Sequence, residues 1–226
     1  DEISDLTKAM ICSGVQLKWN KDMVMDKHSI GGLPGNRTTP ILVSIITAYG
    51  LTMPKTSSRA ITSSAGTADT MEVMTNVSLS PNQIKAVVEK EGGCFVWGDA
   101  ARLSPADDIL IKVEKALDID SEGQLIASVL SKKAAAGSTH VIIDMPIGET
   151  AKVRNTETAR LLKSYIETVG KEIGLITKVV FTDGAQPVGN GIGPVLEAID
   201  ILKILRNETD APADLKERVL LLAGDL

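Results

Sequence analysis

Apolar positions along this chain switch between helical spacing and short unbroken runs, and the switches mark its elements. Helical spacing covers residues 3–13, and Met23–Asp26 predicts a short buried strand. A glycine-rich loop follows, Lys27-His28-Ser29-Ile30-Gly31-Gly32-Leu33-Pro34-Gly35-Asn36. A helix is predicted from about Thr39, with Pro40 in the first helical position, where its missing N–H has no partner to lose. A second loop of small residues, Thr56 to Thr67, runs into another helix, and Ser80-Pro81-Asn82-Gln83 has the form of a capping box. Cys94–Trp97 predicts a strand, and Ser104-Pro105 opens a helix or turn near 105–116. Residues 121–136 have a strong helical pattern that stops at Gly137. Beyond it the spacing predicts a buried strand at His140–Asp144 and a long amphipathic helix over 154–172. A strand at Thr177–Thr182, a loop at Asp183–Gly193 and helices near 194–206 and 213–223 complete the chain.

Strands separated by helices predict an α/β fold with a mixed, mostly parallel sheet flanked by helices, the terminal helices contributing to a small α-helical lobe. The expected division is a helical-lobe segment at 1–22, an α/β domain at 23–206 and a helical segment at 207–226. The chain opens on Asp1 and stops at Leu226 just after an apolar helix-like run. That reads as a central piece of a longer polypeptide, with the last helix leading into a missing C-terminal part.

Composition narrows the function classes. Among 226 residues, 43% are hydrophobic but only 3% aromatic, so Val, Ile, Leu, Ala and Met must build the core. So few rings argue against a base-stacking platform for single-stranded nucleic acid. A net charge of -5 gives no basic footprint for a nucleic acid polymer, yet a local phosphate site needs only backbone amides and two or three cations. Cys12 and Cys94 form no CxxC, and His28 and His140 are too isolated for a metal cluster. No apolar run approaches transmembrane length and no signal peptide opens the chain, so the expected setting is cytoplasmic with no membrane partner.

The two loops carry the candidate chemistry. A strand, a lysine, a glycine-rich loop and a helix form a recognisable anion-binding arrangement, because glycines admit close backbone approach and a helix start offers N–H groups and a favourable dipole. Lys27 adds a full positive charge, and Ser29 and Thr39 add hydroxyls. The loop is neither a Walker loop nor a GxGxxG fingerprint. Alone it reads equally well as a turn. Residues 57–67 add six Ser or Thr hydroxyls, Arg59 and a glycine just before a helix. Two such loops at two strand ends, on opposite sides of one helix, converge in one cleft. The alternative for the second loop is a solvated surface segment. His28 reads either as a structural hydrogen-bonded side chain or as a catalytic one, and His140 as structural. Met23, Met25, Met71 and Met74 read as core fillers.

At this point the motifs resemble the thymidine phosphorylase family. The residues are Asp26-Lys27-His28-Ser29-x-Gly31-Gly32, Ser57-Ser58-Arg59 through Gly66-Thr67-Ala68-Asp69, Ser128-x-x-Ser131-Lys132-Lys133, Asp144-Met145-Pro146-Ile147-Gly148 and the glycine-rich 183–193 segment. They occur in the family's order and spacing across essentially the whole chain. The resemblance implies a nucleoside phosphorylase/phosphoribosyltransferase-like fold and attack of inorganic phosphate on C1′ of a ribose. It implies no metal or organic cofactor, phosphate being a substrate, and a homo-oligomer, dimer or larger. Lys27, Ser29, Ser57 and Thr67 match phosphate-contacting positions. Thr39 stands where the pyrimidine enzymes have a serine, after a one-residue insertion at Leu33-Pro34.

Two departures bear on the substrate. The arginine that reads the pyrimidine base has no counterpart near Val113, and Lys152 stands near an aromatic position. The run Ser58-Arg59-Ala60-Ile61-Thr62-Ser63, with Asp120-Ser121 and Ala151-Lys152-Val153, resembles the archaeal-type AMP phosphorylases within this family. In that group Gly32, Ser58, Arg59, Ala60, Ile61, Thr62, Ser63, Thr67, Ser128 and Lys152 match nucleotide-binding positions, and Asp120 matches the proton donor. Arg59 and Lys152 together would neutralise a 5′-phosphate. Without the resemblance, Asp120 reads as an ordinary helix-start aspartate. The implied reaction is phosphorolysis of AMP, with CMP and UMP as further candidates, to free base and ribose 1,5-bisphosphate. The rivals are a thymidine or uridine phosphorylase, an anthranilate-type phosphoribosyltransferase (Gly66-Thr67-Ala68-Asp69 with Met71-Glu72 resembles its motif too), and a non-catalytic nucleotide-binding domain.

Overall fold

The computed structural model describes residues 1–31, 37–60, 65–101, 103–117 and 121–226. Its strands are β1 (Met25–Ser29), β2 (Met53–Ser57), β3 (Gly93–Trp97), β4 (His140–Ile147) and β5 (Ile176–Asp183). Every described pairing is parallel: β1 with β4, β4 with β5, and β2 with β3. A single parallel bridge, Val24 to Thr52, joins the two sheets and carries the order through as 3-2-1-4-5. The order reverses direction at β1, between neighbours β2 and β4. Such a switch leaves a crevice at the carboxyl ends of the strands, where α/β proteins place their ligands.

β4 shows how the layers are built. Successive side chains of a strand point to opposite faces. Val141, Ile143 and Met145 enter a core with Val129 and Leu130 of α7 (Glu122–Ala135) and with Leu162 and Ile166 of α8 (Thr156–Glu172). Ile142 faces the other way, against Leu42 and Ile46 of α2 (Thr38–Ala48), Ile201 of α9 (Pro194–Leu205) and Leu215 and Val219 of α10 (Ala213–Asp225). With both faces covered, the strand is mostly apolar, with Asp144 as its one buried carboxylate, and no alternation is visible in its sequence. A third cluster lies under α4 (Pro81–Glu91), where Ile84 and Val88 meet Val96 of β3 and Leu103. α1 (Glu2–Cys12) packs on α7. The remaining helices are α3 (Thr67–Glu72), a single turn α5 (Gly98–Ala101) and α6 (Pro105–Leu117).

Local signals explain several boundaries. Ser80 Oγ accepts from Gln83 N while Gln83 Oε1 accepts from Ser80 N, so the capping box before α4 is formed in both directions. Gly137 ends α7 with φ +76, and a Cβ there would lie 2.5 Å from the Leu17 carbonyl oxygen. Two boundaries differ from the sequence expectation. β1 runs on through Lys27-His28-Ser29, and β2, with the sequence Met-Pro-Lys-Thr-Ser, covers Met53–Lys55, to which no element was assigned, and takes in Thr56 and Ser57 from the expected loop. Both strands end in polar residues because their carboxyl ends serve a cavity rather than a core. Met25 is a core residue, but Met23 is 44% exposed. No helix among the described residues is long and apolar enough to cross a membrane.

Candidate active site

At the switch point a cavity of about 1060 Å³ opens between the ends of β1 and β2 and the helices α6 and α7. Its floor is Lys27. The side chain is almost wholly buried, and Nζ donates to Ser29 Oγ at 2.5 Å, Thr38 Oγ1 at 2.8 Å and Thr39 Oγ1 at 3.2 Å. Among the described residues its ion-pair partner is Asp144, 3.7 Å away, which already accepts from Ser29 and Thr182. Burial lowers the Lys27 pKa from its ordinary value, and Asp144 opposes that shift. A buried amine that donates chiefly to hydroxyls is suited to receive an anion. An incoming oxyanion accepts from the ammonium, and the hydroxyls turn to donate.

A cluster of charges lies under this floor. Asp26, fully buried, accepts from Lys133 Nζ at 3.1–3.2 Å, from Ser138 Oγ at 3.2 Å and from the Lys27 backbone N–H at 2.6 Å. Lys55 Nζ stands 3.6 Å from the same carboxylate and donates to the Thr56 carbonyl. Burial and the neighbouring Lys133 push the Lys55 pKa well down. Burial, with a further contribution from the field of Lys133, Lys55, Lys132 and Lys27, holds the His28 pKa well below 6.5. The imidazole is therefore neutral at physiological pH. Unfolded, the same ring binds a proton near pH 6.5, which the folded site refuses. Stability tied to His28 is thus complete above pH 6.5 and is lost as pH falls from there towards the lower folded value. His28→Gln should lose less stability than wild type between pH 7 and pH 5, measured as urea midpoints; equal slopes would contradict a neutral His28.

The second loop wraps the other wall. Asp69 of α3 accepts the backbone N–H groups of Gly66 at 2.8 Å and Ala60 at 2.9 Å, which ties the loop to its own helix. Arg59 pairs with Asp69 at 3.1 Å and with Glu72 at 2.6 Å, and its guanidinium lies 4.6 Å from the centre of the Trp97 ring. Hydrogen bonding to Glu72, more than anything else, raises its pKa. To serve a phosphate, Arg59 has to exchange these carboxylates for the ligand. Gly66 approaches the chain it closes on. A Cβ would sit 2.4 Å from the Ser58 carbonyl oxygen and 2.4 Å from the Arg59 carbonyl carbon, and backbone cannot step aside cheaply. Gly66→Ala should cost about 1–3 kcal/mol in thermal or urea unfolding, as overpacking does elsewhere. A variant as stable as wild type would show the loop to be looser than this packing implies.

The far wall comes from α7 and the segment after β4. Ser128 lines the cavity, and one turn on Lys132 Nζ pairs with buried Asp107 at 2.7 Å. The Lys152 N–H donates to the Gly31 carbonyl at 3.2 Å, which brings this segment against the first loop. Of the residues singled out in the sequence, Lys27, Ser29, Thr39, Ser57, Ser58, Arg59, Ala60, Thr67, Ser128 and Lys152 all line the one cavity. Gly32, Ile61, Thr62, Ser63 and Asp120 lie outside the described residues, although Ser121, next to Asp120, is a lining residue. His140 does not line the cavity; its Nδ1 meets Thr139 Oγ1 at 2.9 Å. Sequence reasoning missed Lys55, Thr38 and Trp97. A lysine inside a short strand was the available signal for Lys55, since buried lysines occur almost only with a partner.

Comparison with known proteins places this arrangement. Residues 21–226 match the Glycosyl transferase family, a/b domain, and the chain belongs to that family. It is 63% identical over 226 residues to a protein from Hahella chejuensis named "Putative thymidine phosphorylase", covering 100% of this chain and 45% of that protein. A protein of the same name from Legionella pneumophila strain Paris is 62% identical over 223 residues, with 99% and 43% covered. The chain thus spans less than half the length of these relatives. Among solved structures, anthranilate phosphoribosyltransferase from Thermus thermophilus superposes with a TM-score of 0.77 at 18% identity, over 99% of this chain and 72% of the other. The Saccharomyces cerevisiae enzyme, in complex with PRPP and Mg, gives 0.74 at 13% identity, over 99% and 69%. At such identities the likeness establishes the fold: an α/β architecture with parallel sheets flanked by helices, shared with phosphoribosyltransferases.

Proposed function

We propose that this chain forms the phosphate- and nucleotide-binding part of a pentosyltransferase, a phosphorylase that cleaves AMP with inorganic phosphate. A phosphate oxygen attacks C1′, the C1′–N9 bond breaks with its electron pair passing to the purine, and Asp120 gives a proton to the ring. The products are adenine and ribose 1,5-bisphosphate. The observation that carries the reading is the buried Lys27 ammonium held by the Ser29, Thr38 and Thr39 hydroxyls on the cavity floor. It supplies a fixed positive site for the nucleophile, and the charge developing on the ribose is in turn stabilised by the phosphate it holds. Ser57 and Thr67, on the facing loop, complete that subsite.

The 5′-phosphate preference rests on other residues. The helix α6 that flanks the cavity, Pro105 to Leu117, contains no arginine to read pyrimidine carbonyls, while Lys152 and Arg154 line the opposite rim. Ser58 to Ser63, Ser128 and Gly32 are assigned to the nucleotide by the same reading. A nucleoside reading is favoured by the printed names of the relatives at 62–63% identity. Base release from AMP, adenosine, thymidine and uridine by the full-length protein, with and without phosphate, separates the two. Strong preference for AMP over adenosine is expected; thymine release at least as fast as adenine release would establish the nucleoside enzyme instead. A phosphoribosyltransferase would need phosphoribosyl pyrophosphate and magnesium, so phosphate-dependent release that survives a chelator counts against it.

A further inference from the structure

Arg37 is fully buried, yet it takes no part in the chemistry above. It immediately precedes Thr38 and Thr39, whose hydroxyls hold the Lys27 ammonium. Its guanidinium lies 3.4 Å from Glu197 and 3.6 Å from Asp200, and Nη1 donates to the Val188 carbonyl. Both carboxylates are buried and sit three residues apart, on one face of α9. Each also serves a second segment. Glu197 Oε2 accepts from Thr70 Oγ1 of α3 at 2.9 Å, and its Oε1 accepts from the Gly193 N–H at 3.2 Å. Asp200 Oδ2 accepts the N–H groups of Asn190 and Gly191, both at 2.9 Å.

Two buried carboxylates against one guanidinium leave an excess of negative charge, which is costly away from water unless other donors offset it. Here the backbone N–H groups and the Thr70 hydroxyl do so. The cluster joins α9 to the start of α2, where the first loop ends, and to α3, which begins at Thr67 and whose Asp69 holds Ala60 and Gly66. An apolar cluster of similar volume would pack these helices without fixing their relative position so closely. We infer that Arg37, Glu197 and Asp200 are positioning residues that hold the two anion loops in register and thereby set the phosphate affinity of the cavity.

This rests on the reading of the cavity as a phosphate site. Thr70→Val in the full-length protein removes only the hydroxyl that links α9 to α3, and Thr70→Ser restores it. Two quantities are measured: the dissociation constant of inorganic phosphate by calorimetry, and the phosphate KM and kcat of base release. Thr70→Val should weaken phosphate about tenfold in both Kd and KM, as loss of one hydrogen bond to a charged group allows, with kcat at saturation within about threefold of wild type. Thr70→Ser should return both to wild type. A purely structural cluster would instead lower the melting temperature and the active fraction, reducing kcat and leaving KM alone. Should Thr70→Val not fold, Glu197→Gln carries the same expectation. Phosphate affinity within twofold of wild type in a folded variant would overturn the inference. A wild-type protein that binds phosphate but releases no base would defeat the proposed reaction, while calorimetry still decides this one. A wild type that binds no phosphate would overturn both.

Discussion

Replacing Lys27 by methionine should lower kcat/KM for phosphorolysis by about 10²–10³-fold, with much of the loss in the phosphate KM. The magnitude is that of removing one preorganised electrostatic partner from a water-poor site. The geometry makes the loss hard to recover. Ser29, Thr38 and Thr39 all accept from this one ammonium, and Asp144 stands 3.7 Å from it. Without the cation, nothing at this position offsets the repulsion between an arriving phosphate and the Asp144 carboxylate, which Ser29 links to the site. The fold should persist, because methionine fills the same volume and Asp144 keeps its donors Ser29 and Thr182. Thermal unfolding and steady-state kinetics on one preparation check both halves. A folded Lys27→Met variant with phosphate KM within about threefold of wild type would remove Lys27 from the site.

The second large effect is expected at Asp120. A departing purine builds negative charge, and protonating it in the transition state contributes about 10²–10⁴-fold to the rate. Asp120→Asn keeps the side chain's shape but removes the transferable proton. It should cost kcat in that range while leaving the AMP dissociation constant within a few-fold of wild type. The adjacent Ser121 lines the cavity and caps α7, which carries Ser128 and Lys132 along the same wall. A carboxylic acid acting there must hold its proton near neutral pH, which nearby bound phosphates favour by like-charge repulsion. Near-wild-type turnover in the asparagine variant would end the assignment of Asp120 as proton donor.

Most elements were legible because their physics is local. The Ser80 capping box, the Gly137 stop, the long amphipathic α8 and the apolar run of β4 each declare themselves within about ten residues. The two loops were legible too: glycines, hydroxyls and one cation beside a helix start suffice to mark an anion site, and their described residues other than Ala65 meet in one cavity. What periodicity could not show was β2, where a proline and a lysine interrupt any apolar signal, or the extension of β1 through Lys27-His28-Ser29.

The sequence by itself thus determined the α/β class and the loops that line the cavity, because both rest on short-range patterns and residue chemistry. Only the tertiary structure decided which charges meet. Asp26 gathers Lys133 and Lys55 from residues far along the chain, Asp144 caps the end of β1, and Arg37 finds Glu197 and Asp200 more than 150 residues away. Pairings of that kind have no signature in local spacing. They are set by strand order and helix packing, which bring distant side chains within a few ångströms and exclude the water that would otherwise screen them.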